Sequence, residues 1–167
     1  MDKINSIVIG TVKSLDDPQK LGRIEVHFPW LSDNNKSYWA RVATLMAGSG
    51  RGTWFMPEKE DEVLVAFEHG DTRFPYIVGF LWNGEDKPPR TDPQKRLIRS
   101  VNGHEIEIYD PDPIGGDRGY IRLKDAQGNQ IELANGRISI SSIGGITINA
   151  PSVVINGRPV APSPSPI

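Results

Sequence analysis

GNQIELANGRISISSIGGITINAPSVVING, residues 128–157, repeats one short phrase: an aliphatic residue, a polar residue, an aliphatic residue, then a turn built on Gly or Asn. The pairs are Ile131/Leu133, Ile138/Ile140, Ile146/Ile148 and Val153/Ile155, and two more stand upstream, Ile106/Ile108 and Ile121/Leu123. Alternation of period two marks strands whose aliphatic side chains all leave the same face. The last three pairs begin 8 and 7 residues apart, a repeat short enough to read as a β-solenoid. A rung of a single-chain solenoid takes roughly 20 residues or more, because one chain must turn several corners. Rungs of 7 or 8 residues supply one strand and one turn, and enclose nothing. Three identical chains wound together remove the difficulty. Each strand is then expected to pair with neighbours from the other chains, with the aliphatic residues on a shared threefold axis. Glu105, Glu107, Arg122, Lys124, Glu132, Arg137, Ser139, Ser141 and Thr147 are then expected to face water. The competing arrangement is an ordinary antiparallel sandwich, for which Gln127-Gly128-Asn129 and Asn135-Gly136 supply hairpin signals.

Upstream the grammar differs. Strands are expected at Ser6–Leu15, Gly22–Phe28, Tyr38–Thr44, Gly52–Met56, Asp61–Glu68 and Tyr76–Trp82, separated by turn formers such as Asp16-Asp17-Pro18, Ser32-Asp33-Asn34-Asn35 and His69-Gly70-Asp71. Short strands this closely spaced suggest a small closed barrel of the oligonucleotide/oligosaccharide-binding (OB) type, since closure removes exposed edges. All four Trp and all five Phe lie in this half, so a sizeable core is expected only here. NGEDKPPRTDPQK, residues 83–95, has three prolines and no alternation, and reads as a linker. The expected division is a barrel at 1–85, a linker at 86–95, a β-helical needle at 96–157 and a Pro/Ser-rich extended tail at 158–167. The fold class is all-β: an N-terminal OB-type barrel followed by an intertwined triple-stranded β-helix formed in a homotrimer.

Composition excludes several functions. A formal net charge of −2, from 19 basic and 21 acidic residues, is not that of a phosphate-backbone binder. No cysteine is present, so disulfides, thiolate metal sites and Cys nucleophiles are excluded. The N-terminal residues Met1–Ser6 contain no apolar signal-peptide core, and no apolar run approaches the ~20 residues of a membrane helix. Synthesis in the cytoplasm is expected, with any export carried out by other components.

Candidate chemical motifs resolve into simpler readings. Gly48-Ser49-Gly50-Arg51-Gly52 lacks the Gly-Lys-Ser/Thr and the following helix of a phosphate loop, and reads as a flexible barrel loop. Glu58, Glu60, Asp61 and Glu62 are acids crowded on one turn rather than two carboxyls held apart in a cleft. Asp110, Asp112 and Asp117 lie among Pro111 and Pro113 without a calcium-loop pattern. His27, His69 and His104 have no ligand spacing, and no Gly-x-Ser-x-Gly elbow is present. Phe28-Pro29-Trp30, Trp54-Phe55-Met56 and Phe80-Leu81-Trp82 suit core packing and docking better than base stacking. The cations Lys87, Arg90, Lys95, Arg96 and Arg99, mixed with acids and prolines, read as linker solvation. No catalytic residue, metal site or cofactor is expected, and the chain is not expected to be an enzyme.

GRIEVHFPWL (Gly22–Leu31), YWARVATLMAGSGRGTWFMPEKEDEVLVAFEHGD (Tyr38–Asp71) and PYIVGFLWNGEDKPP (Pro75–Pro89) resemble the OB domain shared by phage baseplate assembly protein V spikes and the VgrG spikes of type VI secretion. RSVNGHEIEIYD (Arg99–Asp110) resembles the start of the VgrG needle. The resemblance implies a homotrimeric spike whose barrel docks on a hub and whose needle is driven through a target-cell envelope when a sheath contracts. It also implies a small PAAR-type protein at the tip. The trimer core would be Ile106, Ile108, Ile121, Leu123, Ile131, Leu133, Ile138, Ile140, Ile146, Ile148, Val153 and Ile155, and the tip platform Val154, Ile155, Asn156, Gly157 and Arg158. Three departures from the family carry expectations. The chain starts at the barrel, so a separate hub protein is expected. No muramidase-like domain is inserted, and the His-x-His pair that binds metal at some phage tips is missing, so a cap protein is expected in place of a metal seal. The alternative function is an OB-type binder of single-stranded nucleic acid or glycan. An envelope-degrading enzyme is the weakest reading.

Overall fold

Val63, Val65 and Phe67 point inward from one strand while Leu64 and Ala66 between them stay half-exposed, and this alternation organises the first half of the chain. The computed structural model describes residues 3–30, 37–112 and 115–160. The expected turn at Ser32–Asn35, Pro113 and the tail residues 161–167 lie outside the described residues. Two compact units result, residues 1–88 and 89–167. Among the described residues all regular structure is β, apart from one three-residue 3₁₀ turn at Glu68–Gly70.

In the first unit β1 (Val8–Ser14) pairs antiparallel with both β2 (Glu25–His27) and β6 (Glu62–Phe67). Strand β6 pairs antiparallel with β7 (Pro75–Leu81), and β7 pairs in parallel with β3 (Arg41–Val42). Ile24 and Ala40 exchange backbone bonds of 2.9 and 2.8 Å, which join β2 to the start of β3 and close the ring. The order β2-β1-β6-β7-β3, closed with one parallel contact, is that of an OB barrel. Its core is Val12, Ile24, Val26, Phe28, Ala40, Val63, Val65, Phe67 and Ile77.

Two expectations are corrected here. The core is aliphatic: only Phe28 and Phe67 among the aromatics are buried, and Trp30, Trp54, Phe55, Phe74, Phe80 and Trp82 are exposed. A barrel this narrow is filled by alternating Val and Ile, which leaves little room for indoles. The expected strand Gly52–Met56 does not form, because no strand edge runs beside it. Instead β4 (Ala47–Gly48) and β5 (Arg51–Gly52) make a minimal hairpin across the Ser49-Gly50 turn.

The β1–β2 turn is organised by Asp17, whose side chain is nearly buried. Its carboxylate accepts from the backbone N–H of Gln19, Leu21 and Arg23 and from Arg23 Nε and Nη2, the last at 2.7 Å. The Arg23 bond and the backbone donors hold its pKa far below the usual carboxylate range, despite burial acting the other way.

The second unit is a five-stranded meander: β8 (Lys95–Arg99), β9 (Glu105–Tyr109), β10 (Tyr120–Lys124), β11 (Gln130–Ala134) and β12 (Arg137–Ser141), each antiparallel to the next. These strands pair with one another within the chain, which differs from the expectation that each pairs with neighbours from the other chains. The reason is local. Asn135 and Gly136 adopt φ of 46° and 77°, the left-handed pair that a two-residue hairpin turn requires. Gly119 sits at φ 76° so close to the Tyr109 carbonyl that no Cβ fits. The sandwich alternative gains its hairpins but no second layer, for among the described residues nothing covers one face of the sheet. Beyond it, residues 146–148 form no strand, while β13 (Val154–Ile155) and β14 (Arg158–Pro159) pair around Asn156-Gly157. Arg158 and Pro159, expected in an extended tail, therefore belong to a hairpin.

Ile77 is fully buried, so Ile77→Ala should cost the barrel about 2–5 kcal/mol. Urea unfolding followed by tryptophan fluorescence measures this; a midpoint unchanged from wild type would contradict the assigned core.

Candidate assembly face

Strand register turns the sequence pattern into a surface. Ile106, Leu123, Ile131 and Ile140 stand directly opposite one another across β9–β12, and Ile98 of β8 extends the row. Ile108, Ile121, Leu133 and Ile138 make a second row, two residues further along each strand and so roughly 7 Å from the first. Arg96 ends this row beside Ile108 and pairs with Asp110 at 3.1 Å. All nine aliphatic residues lie on the same face, and each remains 40–70% exposed. Single exposed aliphatics are ordinary, but two contiguous rows are the mark of an interaction surface.

Eight of the twelve expected axial residues are thus brought together. Ile146, Ile148, Val153 and Ile155 are outside this sheet, and the first two have no strand partner among the described residues. The expected platform residues Val154, Ile155, Asn156, Gly157 and Arg158 make the β13–β14 turn. Ile98 was missed because Arg96, Leu97 and Arg99 around it disguise the alternation.

The opposite face is polar yet not uniformly wet. Glu107, expected in water, is 3% exposed. Tyr120 Oη donates to its Oε1 at 2.7 Å, and Arg122 Nη1 and Lys95 Nζ lie 3.7 and 4.0 Å from the same oxygen. Arg90 Nε is 3.4 Å from Oε2, which accepts no hydrogen bond. Burial pushes the Glu107 carboxyl up, but the Tyr120 bond and the charges of Lys95, Arg90 and Arg122 outweigh it and hold the pKa below the ordinary glutamate value. Arg122 also donates to Glu132 at 2.6 and 2.9 Å, and Arg99 to Glu105 at 2.8 Å. The cations Arg90, Lys95, Arg96 and Arg99 are therefore paired, a correction to their reading as linker solvation.

The barrel unit has its own apolar surface. The loop around the β4–β5 hairpin lines an open groove of about 1020 Å³ with Leu45, Met46, Trp54 and Phe55, completed by Val78 and Phe80 of β7. Its only charged lining residues are Arg41 and Arg51, and it contains no carboxylate or histidine. Such a lining can dock an apolar partner but offers no general acid or base. Among the described residues no group of three or more His, Asp or Glu is placed to hold a metal ion, and no helix is long and apolar enough to cross a membrane.

Comparison with known proteins agrees with this geometry. Residues 8–82 match the family described as the type VI secretion system/phage-baseplate injector OB domain. The chain is 32% identical over 129 residues to the type VI secretion system spike protein VgrG5 of Pseudomonas aeruginosa, covering 75% of this chain and 16% of that protein. It is 29% identical over 140 residues to VgrG1a of the same organism, covering 76% and 22%. The actin cross-linking toxin VgrG1 of Vibrio cholerae is 38% identical over 79 residues, 45% of this chain and 7% of that one. The chain therefore spans less than a quarter of the length of each of these relatives.

The acid carboxylates give a signed expectation. Glu107 lies below its ordinary 4.5, and Asp71, held by Arg73, falls from 3.8 to about 2. A group lowered by folding contributes stability that is complete above its unfolded value and disappears as pH falls through the folded one. The melting temperature should thus hold from pH 7 to about 5 and decline below about 4.5. Glu107→Gln should melt lower at pH 7 and decline less steeply in acid, as followed by circular dichroism.

Proposed function

Through residues 8–82 the chain belongs to the type VI secretion system/phage-baseplate injector OB-domain family, and from that premise we propose that it is a non-enzymatic, trimeric spike subunit of a contractile injection apparatus. The observation that carries the proposal is the pair of registered aliphatic rows left open on one face of the β8–β12 sheet. Three copies turning this face toward a common axis would form a triangular prism with a dry interior. Nine half-exposed aliphatic side chains per copy would return on the order of 10 kcal/mol per chain, before the cost of association. Two copies could cover the same sheet face to face. The segment that follows favours three: its 7- and 8-residue phrases provide one edge each, and a triangle is the smallest closed outline that single edges can make. Among the described residues Ile146 and Ile148 have no backbone ladder, which supports pairing with neighbouring copies there, as an intertwined β-helix requires.

The remaining parts take roles consistent with that core. The apolar groove beside Trp54 and Phe55 suits docking on a baseplate hub. The β13–β14 turn at Val154–Arg158 suits contact with a PAAR-like tip protein. Sheath contraction would then drive the spike into a target-cell envelope. A second reading, an OB-type binder of single-stranded nucleic acid or glycan, draws on the exposed Trp54 and Phe55 beside Arg41 and Arg51. The acid-balanced composition opposes it.

Light scattering should return about 55 kDa, three times the 18.5 kDa chain, and the trimer should survive SDS without boiling. Leu123→Asp, at the centre of the first row, should leave monomers of 18.5 kDa, whereas Trp54→Ala should keep the trimer and lose hub capture. A wild-type chain folded and monomeric in solution would overturn the proposal. For the second reading, salt-dependent binding of a labelled oligonucleotide is the deciding titration. Truncation after Asn149 should leave the trimer and abolish capture of the tip protein.

A further inference from the structure

A carboxylate buried on the outer face of a two-sided sheet is costly unless it holds something in place. Glu107 sits at the middle of β9 on the polar face, and its neighbours in register are Leu97 of β8 and Arg122 of β10. Strand neighbours alone leave such a position open to water. Besides Tyr120, Arg122 and Lys95, a cation from the segment Pro89–Gln94 approaches it: Arg90 reaches Glu107 Oε2 through Nε at 3.4 Å and both oxygens of Glu105 through Nη2 at 3.3 and 3.4 Å. One guanidinium thereby spans two carboxylates two residues apart on one strand, a fork that an ammonium cannot reproduce.

The segment is prepared for this contact. Pro89 and Pro93 restrict its backbone. Asp92 accepts from the backbone N–H of Gln94 through its side chain and from that of Lys95 through its carbonyl, at 3.0 and 3.1 Å. The Asp110 N–H donates to the Gln94 carbonyl at 3.0 Å. One end of the segment is thus fixed to the strand ladder, and Arg90 supplies a second attachment five residues before β8 begins at Lys95.

We propose that Arg90, Glu105 and Glu107 form an ionic clasp that fastens the Pro-rich segment Pro89–Gln94 across the outer face of β9 as a fixed strap, so that the chain enters the sheet with two attachments instead of one. Arg122 and Tyr120 position Glu107 from β10, and Arg122 is held in turn by Glu132 of β11. A pull on the strap therefore reaches three strands beyond β8. The fastening is a property of the chain itself. Its use in bearing an axial load rests on the spike reading, and the test below does not.

Amide hydrogen exchange on the full chain reads the clasp directly. Arg90→Ala removes a side chain whose head is partly solvated, and the sheet should remain folded. Exchange across residues 89–95 should rise at least tenfold, with residues 130–141 unchanged. Arg90→Lys should show most of that rise, because it keeps the charge and loses the fork. Glu107→Gln should show a rise over the same residues. Exchange at 89–95 equal to wild type in Arg90→Ala would overturn the proposal. So would an equal acceleration through 130–141, which would make Arg90 a general stabiliser of the sheet.

Discussion

The period-two register of the β8–β12 sheet places nine aliphatic side chains on one surface, and the described residues provide nothing to cover them. A sheet with one oily and one polar face is stable only as half of something. The described chain pairs its five strands with one another, and leaves the outer edges of β8 and β12 and the apolar face without a partner among the described residues. Association of copies is the proposed resolution of that imbalance. After Ser141, residues 142–152 form no strand before the β13–β14 hairpin, and this is the same imbalance extended to the backbone itself.

The two faces of this sheet solve different problems. Aliphatic rows are non-directional and accept any complementary apolar surface. The polar face is directional: Arg122 meets Glu107 and Glu132 from adjacent strands, and Arg99 meets Glu105. Cross-strand pairs of opposite charge reward one register and oppose a one-residue slip, which would separate the pairs and set charged side chains among the aliphatic ones. Such a slip would also turn the aliphatic rows outward, so each face guards the register that the other needs.

The barrel unit reaches stability in a more ordinary way. Closure through Ile24 and Ala40 leaves no free sheet edge between β2 and β3, and a small Val/Ile-rich core fills the interior. Trp54, Phe55 and Phe80 lie on the outside, in the groove around the β4–β5 hairpin. Freed from packing, Trp54 and Phe55 supply large apolar area with few rotatable bonds, a combination suited to protein contacts. Among the described residues the groove is lined mainly by apolar side chains, which suit a protein contact.

Much of this was determined by the sequence by itself. Alternation in IEI, IRL, IEL and ISI dictates strands with one aliphatic face, and Asn135-Gly136 dictates a tight hairpin, because both depend only on neighbours along the chain. The all-β class and the family of residues 8–82 were readable for the same reason. Tertiary structure alone decided which strands pair, that the barrel core excludes the indoles, and that Glu107 is covered by Arg90 from 17 positions earlier in the chain. Burial of a given side chain is set by what lies across from it in space, and a one-dimensional pattern records only which way it points.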